Sequence, residues 1–165
     1  ALVPVLAVIF EWAALYRYYS VYAIELPDLK FLFYWAGGFS LFAFLTTLIR
    51  EIIKDVEDFE GDAEYGRNTI PVMIGIRASR IISIGLITIT IVALFIVWRF
   101  FINDRITLIY ISAAIVVPML YVIYRLIKSP GKKELHIASG TMKLIMLAGI
   151  LYSVVVKAII TWNLL

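Results

Sequence analysis

Long, uninterrupted runs of apolar residues dominate the sequence, and short polar segments separate them. A helix needs about 20 mostly apolar residues to cross the hydrocarbon core of a bilayer, and the runs approach this length. They are continuous rather than alternating between apolar and polar residues, which predicts helices and not barrel strands. We therefore predict an all-α, polytopic transmembrane helical bundle that forms a single domain over residues 1–165. Its five predicted spans are approximately 1–24, 31–53, 80–102, 105–127 and 139–163.

Turn-forming residues mark the predicted breaks between spans. Pro27-Asp28 follows the first span, Asn103-Asp104 the third, and Ser129-Pro130-Gly131 the fourth. Pro118 lies inside the fourth span, where the missing backbone N–H predicts a local distortion that membrane bundles tolerate.

Composition excludes several classes of protein. The chain is 63% hydrophobic and 16% charged, with a mean hydropathy of +0.97, whereas a soluble domain is about 45–50% apolar and about a quarter charged. The absence of Cys excludes a disulfide framework, a thiolate zinc site and a Cys nucleophile. No basic stripe stands clear of the apolar runs, so we expect no nucleic-acid partner.

The distribution of Lys and Arg predicts the orientation in the membrane. The second and fourth connections, with their flanks, carry ten Lys and Arg residues, against four in the first and third. Cytoplasmic loops carry the excess of positive charge. We therefore expect an integral membrane protein, in the inner membrane of a prokaryotic cell, with the segment 54–79 as a cytoplasmic loop.

This predicted loop begins with a dense acidic cluster. Seven of the twelve acidic residues fall between Glu51 and Glu64. At 100° per residue, Asp55, Asp58 and Asp62 share an arc of about 60° on a helix, and Glu57, Glu60 and Glu64 fall on the opposite side, where we expect them to be solvated. Carboxylates of this kind suit Mg²⁺, which binds one or two of them and completes its shell with water and phosphate oxygens. The alternative is a solvated acidic turn without a ligand.

The amino-acid sequence of this segment resembles the second aspartate-rich motif of the UbiA family of intramembrane prenyltransferases. The shared pattern is Asp-x-x-Asp-x-x-Gly-Asp from Asp55, followed by Gly-x-x-Thr-Ile-Pro from Gly66 to Pro71. The sequence Arg-Glu-Ile-Ile-Lys-Asp from Arg50 is closest to members that resemble geranylgeranylglycerol-phosphate geranylgeranyltransferases.

The resemblance implies a Mg²⁺-dependent transfer of a polyprenyl group from a polyprenyl diphosphate, such as geranylgeranyl diphosphate, to a lipid or aromatic acceptor. It assigns Asp55, Asp58 and Asp62 as metal ligands, with no certain catalytic residue. Lys54 and Arg67 become candidates for contact with the diphosphate. Both cations have an equally good alternative role, which is to anchor the segment or to relieve repulsion inside the acidic cluster.

In layout the chain resembles the second half of a nine-helix prenyltransferase. A first aspartate-rich motif of the form Asn-Asp-x-x-Asp is not visible in the sequence. We therefore expect a fragment whose missing N-terminal half carries that motif, and we expect the chain alone to be inactive.

Two other functions stay open at the level of sequence. The acidic loop would also suit a transporter that concentrates cations, or a non-catalytic membrane protein that binds metal or lipid. Intramembrane charges are few, and Glu11 and Lys157 are the main ones, which disfavours a polar transport path. The role of Glu11, the prenyl chain length and the acceptor are not determined by these residues.

Overall fold

A computed structural model of the chain describes residues 9–10, 13, 16–17, 30–128 and 131–161. Within these residues the regular secondary structure is helical and no strand occurs, which confirms the all-α prediction. The chain divides into two compact units, Ala1–Phe44 and Leu45–Leu165. In the first unit, the rings of Trp35 and Phe39 stack with their centroids 5.6 Å apart.

Helices follow one another with short connections throughout the described part. In chain order they are α1 (Lys30–Glu57), α2 (Phe59–Glu64), α3 (Ile70–Ile74), α4 (Ile76–Val97), α5 (Arg105–Tyr110), α6 (Val117–Ile127) and α7 (Lys132–Thr161). Two π-helical segments, Trp98–Ile102 and Ile111–Val116, follow α4 and α5.

Four helical stretches in the described residues are long and apolar enough to cross a membrane. They are Tyr34–Glu57, Ile76–Ile102, Arg105–Ile127 and Lys132–Lys157. These stretches overlap the last four of the five predicted spans. The first predicted span, 1–24, and Glu11 within it lie largely or wholly outside the described residues.

The core of the second unit forms where α6 packs on α7. Met119, Val122 and Leu126 of α6 are buried at helical spacing, as are Met142 and Ile145 of α7. This spacing places the buried residues of each helix on a single stripe, which is how two amphipathic helices join. The end of α1 adds its own buried face. That face consists of Ile49, Ile52, Ile53 and Val56.

Two hydrogen bonds made by side-chain hydroxyl groups link α5 to α7 inside the second unit. The hydroxyl groups of Thr107 and Tyr152 lie 2.9 Å apart, and the Tyr110 hydroxyl donates to the Ala148 carbonyl oxygen at 2.8 Å. A buried polar group is costly unless it is paired, so these bonds fix how the two helices meet in an apolar environment.

The predicted break at Asn103-Asp104 is present, whereas Pro27-Asp28 and Ser129-Pro130 lie outside the described residues. Asn103 adopts a left-handed conformation (φ 55°) after the first π-helical segment, and the Asp104 carboxylate then accepts a bond from the Thr107 amide at 2.7 Å. Such an N-cap satisfies one of the free donors at a helix start. The second π-helical segment ends directly before Val117-Pro118, where proline removes a backbone donor.

The segment 54–79, predicted as the connection between the second and third spans, is largely helical. Helix α1 runs to Glu57, only Asp58 departs from helical geometry (φ −93°, ψ 5°), and α2 begins at Phe59. The Asp58 amide still donates to the Lys54 carbonyl oxygen, and the Asp62 amide to the Asp58 carbonyl oxygen, both at 3.0 Å. The acidic segment is therefore a nearly continuous extension of α1.

Candidate metal and diphosphate site

The three aspartates predicted as metal ligands differ in their exposure to solvent. The Asp62 side chain is only 8% exposed and that of Asp58 is 52% exposed, while Asp55 is half-buried. All three lie at or just beyond the end of α1, where the membrane span gives way to α2. Carboxylates with restricted access to water depend more strongly on a nearby cation than exposed ones do.

Two of the three aspartates have a cationic partner. Lys54 Nζ lies 2.8 Å from Asp58 Oδ2 and 3.5 Å from Glu57 Oε1. Arg67 Nη1 lies 3.4 Å from Asp62 Oδ1. Lys54 and Arg67 therefore reduce repulsion in the acidic cluster, which is one of the two roles expected for them.

Asp55 differs from its neighbours because no cation of the described residues lies within ion-pair distance of its carboxylate. The charges that act on it are those of Asp62, Glu51 and Asp58, and all are negative. A half-buried carboxylate surrounded by negative charge attracts an added cation more strongly than a paired one does.

No group of three or more His, Asp or Glu side chains in the described part of the chain is arranged to enclose a metal ion. Mg²⁺ does not need a protein cage, since one or two carboxylates with water and phosphate oxygens satisfy it. The donor set of Asp55, Asp58 and Asp62 fits an ion that is shared with a phosphorylated substrate.

Gly66 explains how Arg67 reaches Asp62. The amide of Arg67 donates to the Asp62 carbonyl oxygen at 2.9 Å, and the Gly66 amide to that of Ala63 at 3.3 Å. This is a Schellman motif, in which the residue after the helix takes a left-handed conformation, and Gly66 has φ +64°. The turn places the Arg67 guanidinium beside the buried Asp62 carboxylate.

Thr69 and Pro71 shape the start of the next helix. Thr69 is the N-cap of α3 and Pro71 lies in its first turn, where a missing N–H costs no hydrogen bond. Gly75 then separates α3 from α4 with φ +88° and ψ 154°, a conformation that residues with a Cβ rarely adopt.

One sequence prediction about this segment is wrong. Glu57 was expected to be solvated, but its side chain is only 12% exposed and lies against α7. His136 Nδ1–H donates to Glu57 Oε1 at 3.0 Å, and the Ser139 hydroxyl lies 3.4 Å from Oε2. Glu60 is exposed as expected, yet it pairs with Lys132 Nζ at 2.7 Å, which lowers the pKa of its carboxyl.

The spacing of three polar residues in the sequence could have indicated these contacts. Lys132, His136 and Ser139 are spaced by four and three residues, which places them on one face of a helix. Lys132 and His136 lie between the predicted spans 105–127 and 139–163, so the span prediction treats them as part of a connection and misses this helical face. Lys157, the other intramembrane charge considered, is exposed in α7.

The apolar helices and the acidic helix end together define a helical integral membrane protein with a cluster of hard oxygen donors at one end of a span. The sequence pattern of the UbiA prenyltransferase family matches residues 3–147, and the chain belongs to this family.

Several relatives carry one functional name. Digeranylgeranylglyceryl phosphate synthase of Methanosphaera stadtmanae is 36% identical over 112 residues, which is 67% of this chain and 41% of that protein. The enzyme of the same name from Thermococcus gammatolerans is 29% identical over 101 residues, 61% of this chain and 36% of that protein. That from Pyrococcus horikoshii is 52% identical over 48 residues, 29% of this chain and 17% of that protein. The matched segments thus cover less than half the length of these relatives. No solved structure matches the chain.

Proposed function

We propose that this chain supplies one acidic motif of a Mg²⁺-dependent prenyltransferase that works at the membrane surface. The donor is a polyprenyl diphosphate. The name shared by the relatives supports geranylgeranyl diphosphate as donor and a glyceryl phosphate lipid that already carries one geranylgeranyl group as acceptor.

The observation that carries this proposal is the state of Asp55. It is a half-buried carboxylate without a cation partner among the described residues, and the neighbouring charges of Asp62 and Asp58 are negative. A divalent cation relieves this repulsion. The same cation then attracts a diphosphate to the end of a membrane span, where a prenyl tail can remain in apolar surroundings.

The proposed reaction exchanges one bond to carbon for another. The bond between C1 of the prenyl group and the diphosphate oxygen breaks, and the acceptor hydroxyl oxygen forms a bond to C1 as its proton is released. Bound Mg²⁺ would neutralise the charge that develops on the leaving diphosphate. Asp55 and Asp62 would hold the ion, and the more exposed Asp58 would supply a further carboxylate oxygen.

Arg67 and Lys54 have separate parts in this proposal. The Arg67 guanidinium is 71% exposed and makes only a long contact with Asp62, so most of its N–H donors are available to phosphate oxygens. Lys54 is engaged by Asp58 at 2.8 Å and keeps that carboxylate in place.

The sidedness of the site is also a proposal. The ten-to-four excess of Lys and Arg in the second and fourth connections supports a cytoplasmic position for the acidic segment. A water-soluble cation and the charged diphosphate would then be drawn from the cytoplasm, while the prenyl tail enters from the bilayer.

Substitution of the aspartates in a full-length protein that contains this chain tests the proposal. We expect Asp55→Asn and Asp62→Asn to lower the rate of prenyl transfer by at least about 100-fold, because each removes an oxygen that holds the leaving group's counter-ion. Product is measured with geranylgeranyl diphosphate and geranylgeranylglyceryl phosphate, with Mg²⁺ or with EDTA.

Glu64→Gln is the matched control. Glu64 is an exposed acidic residue at the end of α2 and has no ion-pair partner in the described part of the chain. Its substitution removes the same charge from the same segment and should leave the rate within about two-fold. A loss in Glu64→Gln equal to that in Asp55→Asn, or a rate unaffected by EDTA, would contradict the proposal.

A further inference from the structure

The face of the acidic segment opposite the aspartates is bound to α7. The Glu57 carboxylate accepts a hydrogen bond from His136 Nδ1–H at 3.0 Å, and its Oε2 lies 3.4 Å from the Ser139 hydroxyl. The Glu60 carboxylate pairs with Lys132 Nζ at 2.7 Å. We call Glu57, Glu60, Lys132, His136 and Ser139 the polar zipper. Its partners are up to 82 residues apart in sequence.

The order of the contacts shows that the two elements run antiparallel along the zipper. Going from Glu57 to Glu60, the partners on α7 move back from Ser139 and His136 to Lys132. The zipper therefore contacts the segment at two points on either side of Asp58, the one residue that leaves helical geometry. Two points of attachment fix both the position and the rotation of a short helical segment.

The zipper is directly joined to the candidate metal ligands. Glu57 lies between Asp55 and Asp58 in sequence, and Lys54 contacts both Glu57 at 3.5 Å and Asp58 at 2.8 Å. The three acidic residues would otherwise repel one another at the break in the helix. A partner on α7 holds Glu57 to one side and leaves the aspartates on the other.

We propose that Glu57 is a positioning residue, which His136 and Ser139 hold so that the aspartate face keeps the orientation that binds the cation. This inference rests on the proposed function, because it assumes that the aspartate face receives a divalent cation. Residues that orient metal ligands from outside the ligand shell typically change metal affinity by about 10–100-fold when they are replaced.

The decisive variant is His136→Ala, since His136 lies on a different helix and supplies no acidic charge. Loss of the zipper contact predicts weaker cation binding by about 10-fold. Electrostatics alone predicts unchanged or tighter binding, because removal of a basic side chain leaves the acidic segment no less negative. The direction of the change therefore separates positioning from a general charge effect.

The readout is Mn²⁺ affinity, measured by electron paramagnetic resonance on the purified full-length protein and independent of any transferase assay. We expect Glu57→Gln and His136→Ala to weaken Mn²⁺ binding to a similar extent, with Glu64→Gln as the control that stays within about two-fold. A charge exchange, Glu60→Lys with Lys132→Glu, should recover part of the affinity that either single change removes.

Thermal unfolding of the same variants distinguishes positioning from simple stabilisation. If His136→Ala lowers the melting temperature but leaves Mn²⁺ affinity unchanged, the zipper is only a structural contact and the inference is overturned. A different result would contradict the proposed function. In that case the wild-type protein binds Mn²⁺ with the expected dependence on Asp55 but forms no prenyl product.

Discussion

At the scale of single residues, the carboxylates of the acidic segment have different environments although they are chemically alike. Asp58 and Asp62 are paired with Lys54 and Arg67, and Glu57 is bound by α7. Asp55 has no cation within ion-pair distance among the described residues. Four acidic side chains within eight positions thus have separate physical roles. How well each carboxylate is expected to bind a cation therefore depends on its burial and on its ion-pair or hydrogen-bond partners, and not on residue type.

Gly66 is the residue whose backbone conformation most directly shapes the site. With φ +64°, a side chain at this position costs about 1–2 kcal/mol because its Cβ crowds the following carbonyl oxygen. We expect Gly66→Ala to lower the melting temperature of the detergent-purified protein and to weaken the Arg67–Asp62 contact. Gly66→Asn should be milder, because asparagine tolerates the left-handed region.

Space around Gly66 does not limit the substitution, since nothing described lies within 4 Å of an added Cβ. The expected loss of stability in Gly66→Ala therefore comes from backbone strain alone. Equal melting temperatures for wild type, Gly66→Ala and Gly66→Asn would show that the Schellman turn is not held as described.

At the scale of helices, hydropathy and turn residues predicted most of what the structure contains. The last four predicted spans overlap the four long apolar helices, although the last helix begins at Lys132 and not at residue 139. Asn103-Asp104 ends and restarts a helix as predicted. These features depend on local sequence, which explains why they could be predicted. The π-helical segment before Pro118 could not, because its geometry depends on how neighbouring backbone groups are satisfied.

The zipper shows where prediction from sequence ended for the candidate site. A helical wheel correctly separates Asp55 from Glu57, but it does not reveal which neighbour meets each face. Glu57 meets His136, which lies 79 residues further along the chain. A face that is not directed at the membrane was taken to be solvated, and in this case it is occupied by the polar start of α7.

The orientation of the helices in the membrane gives a prediction at this scale. Since the chain has no cysteine, single cysteines can be introduced without background labelling. We expect Tyr65→Cys and Lys133→Cys to react with a membrane-impermeant maleimide from the cytoplasmic side, and Asn103→Cys from the opposite side. Labelling of Asn103→Cys and Lys133→Cys from the same side would contradict a membrane crossing by Arg105–Ile127.

At the scale of the whole molecule, the chain contains one acidic motif, and the segments that it matches make up 41% and 36% of two of its relatives. Correct orientation of two reactants can lower the activation barrier by about 7–11 kcal/mol. We therefore expect the 165-residue chain alone to give no measurable prenyl transfer, even with saturating Mg²⁺ and geranylgeranyl diphosphate.

A matched experiment adds back the missing contacts. Co-expression with a segment that carries an Asn-Asp-x-x-Asp motif should restore Mg²⁺-dependent product. Robust transfer by the purified chain without such a segment would show that a second acidic motif is not required.

The central claim is that the end of α1 holds a divalent cation that in turn holds a diphosphate. The most direct measurement is the Kd of geranylgeranyl diphosphate for the full-length protein, determined by calorimetry with Mg²⁺ and with EDTA. We predict that Mg²⁺ tightens binding by at least about 10-fold in wild type and in Glu64→Gln, and that Asp55→Asn abolishes this effect. Equal Kd values with Mg²⁺ and with EDTA in wild type, or an undiminished Mg²⁺ effect in Asp55→Asn, would contradict it.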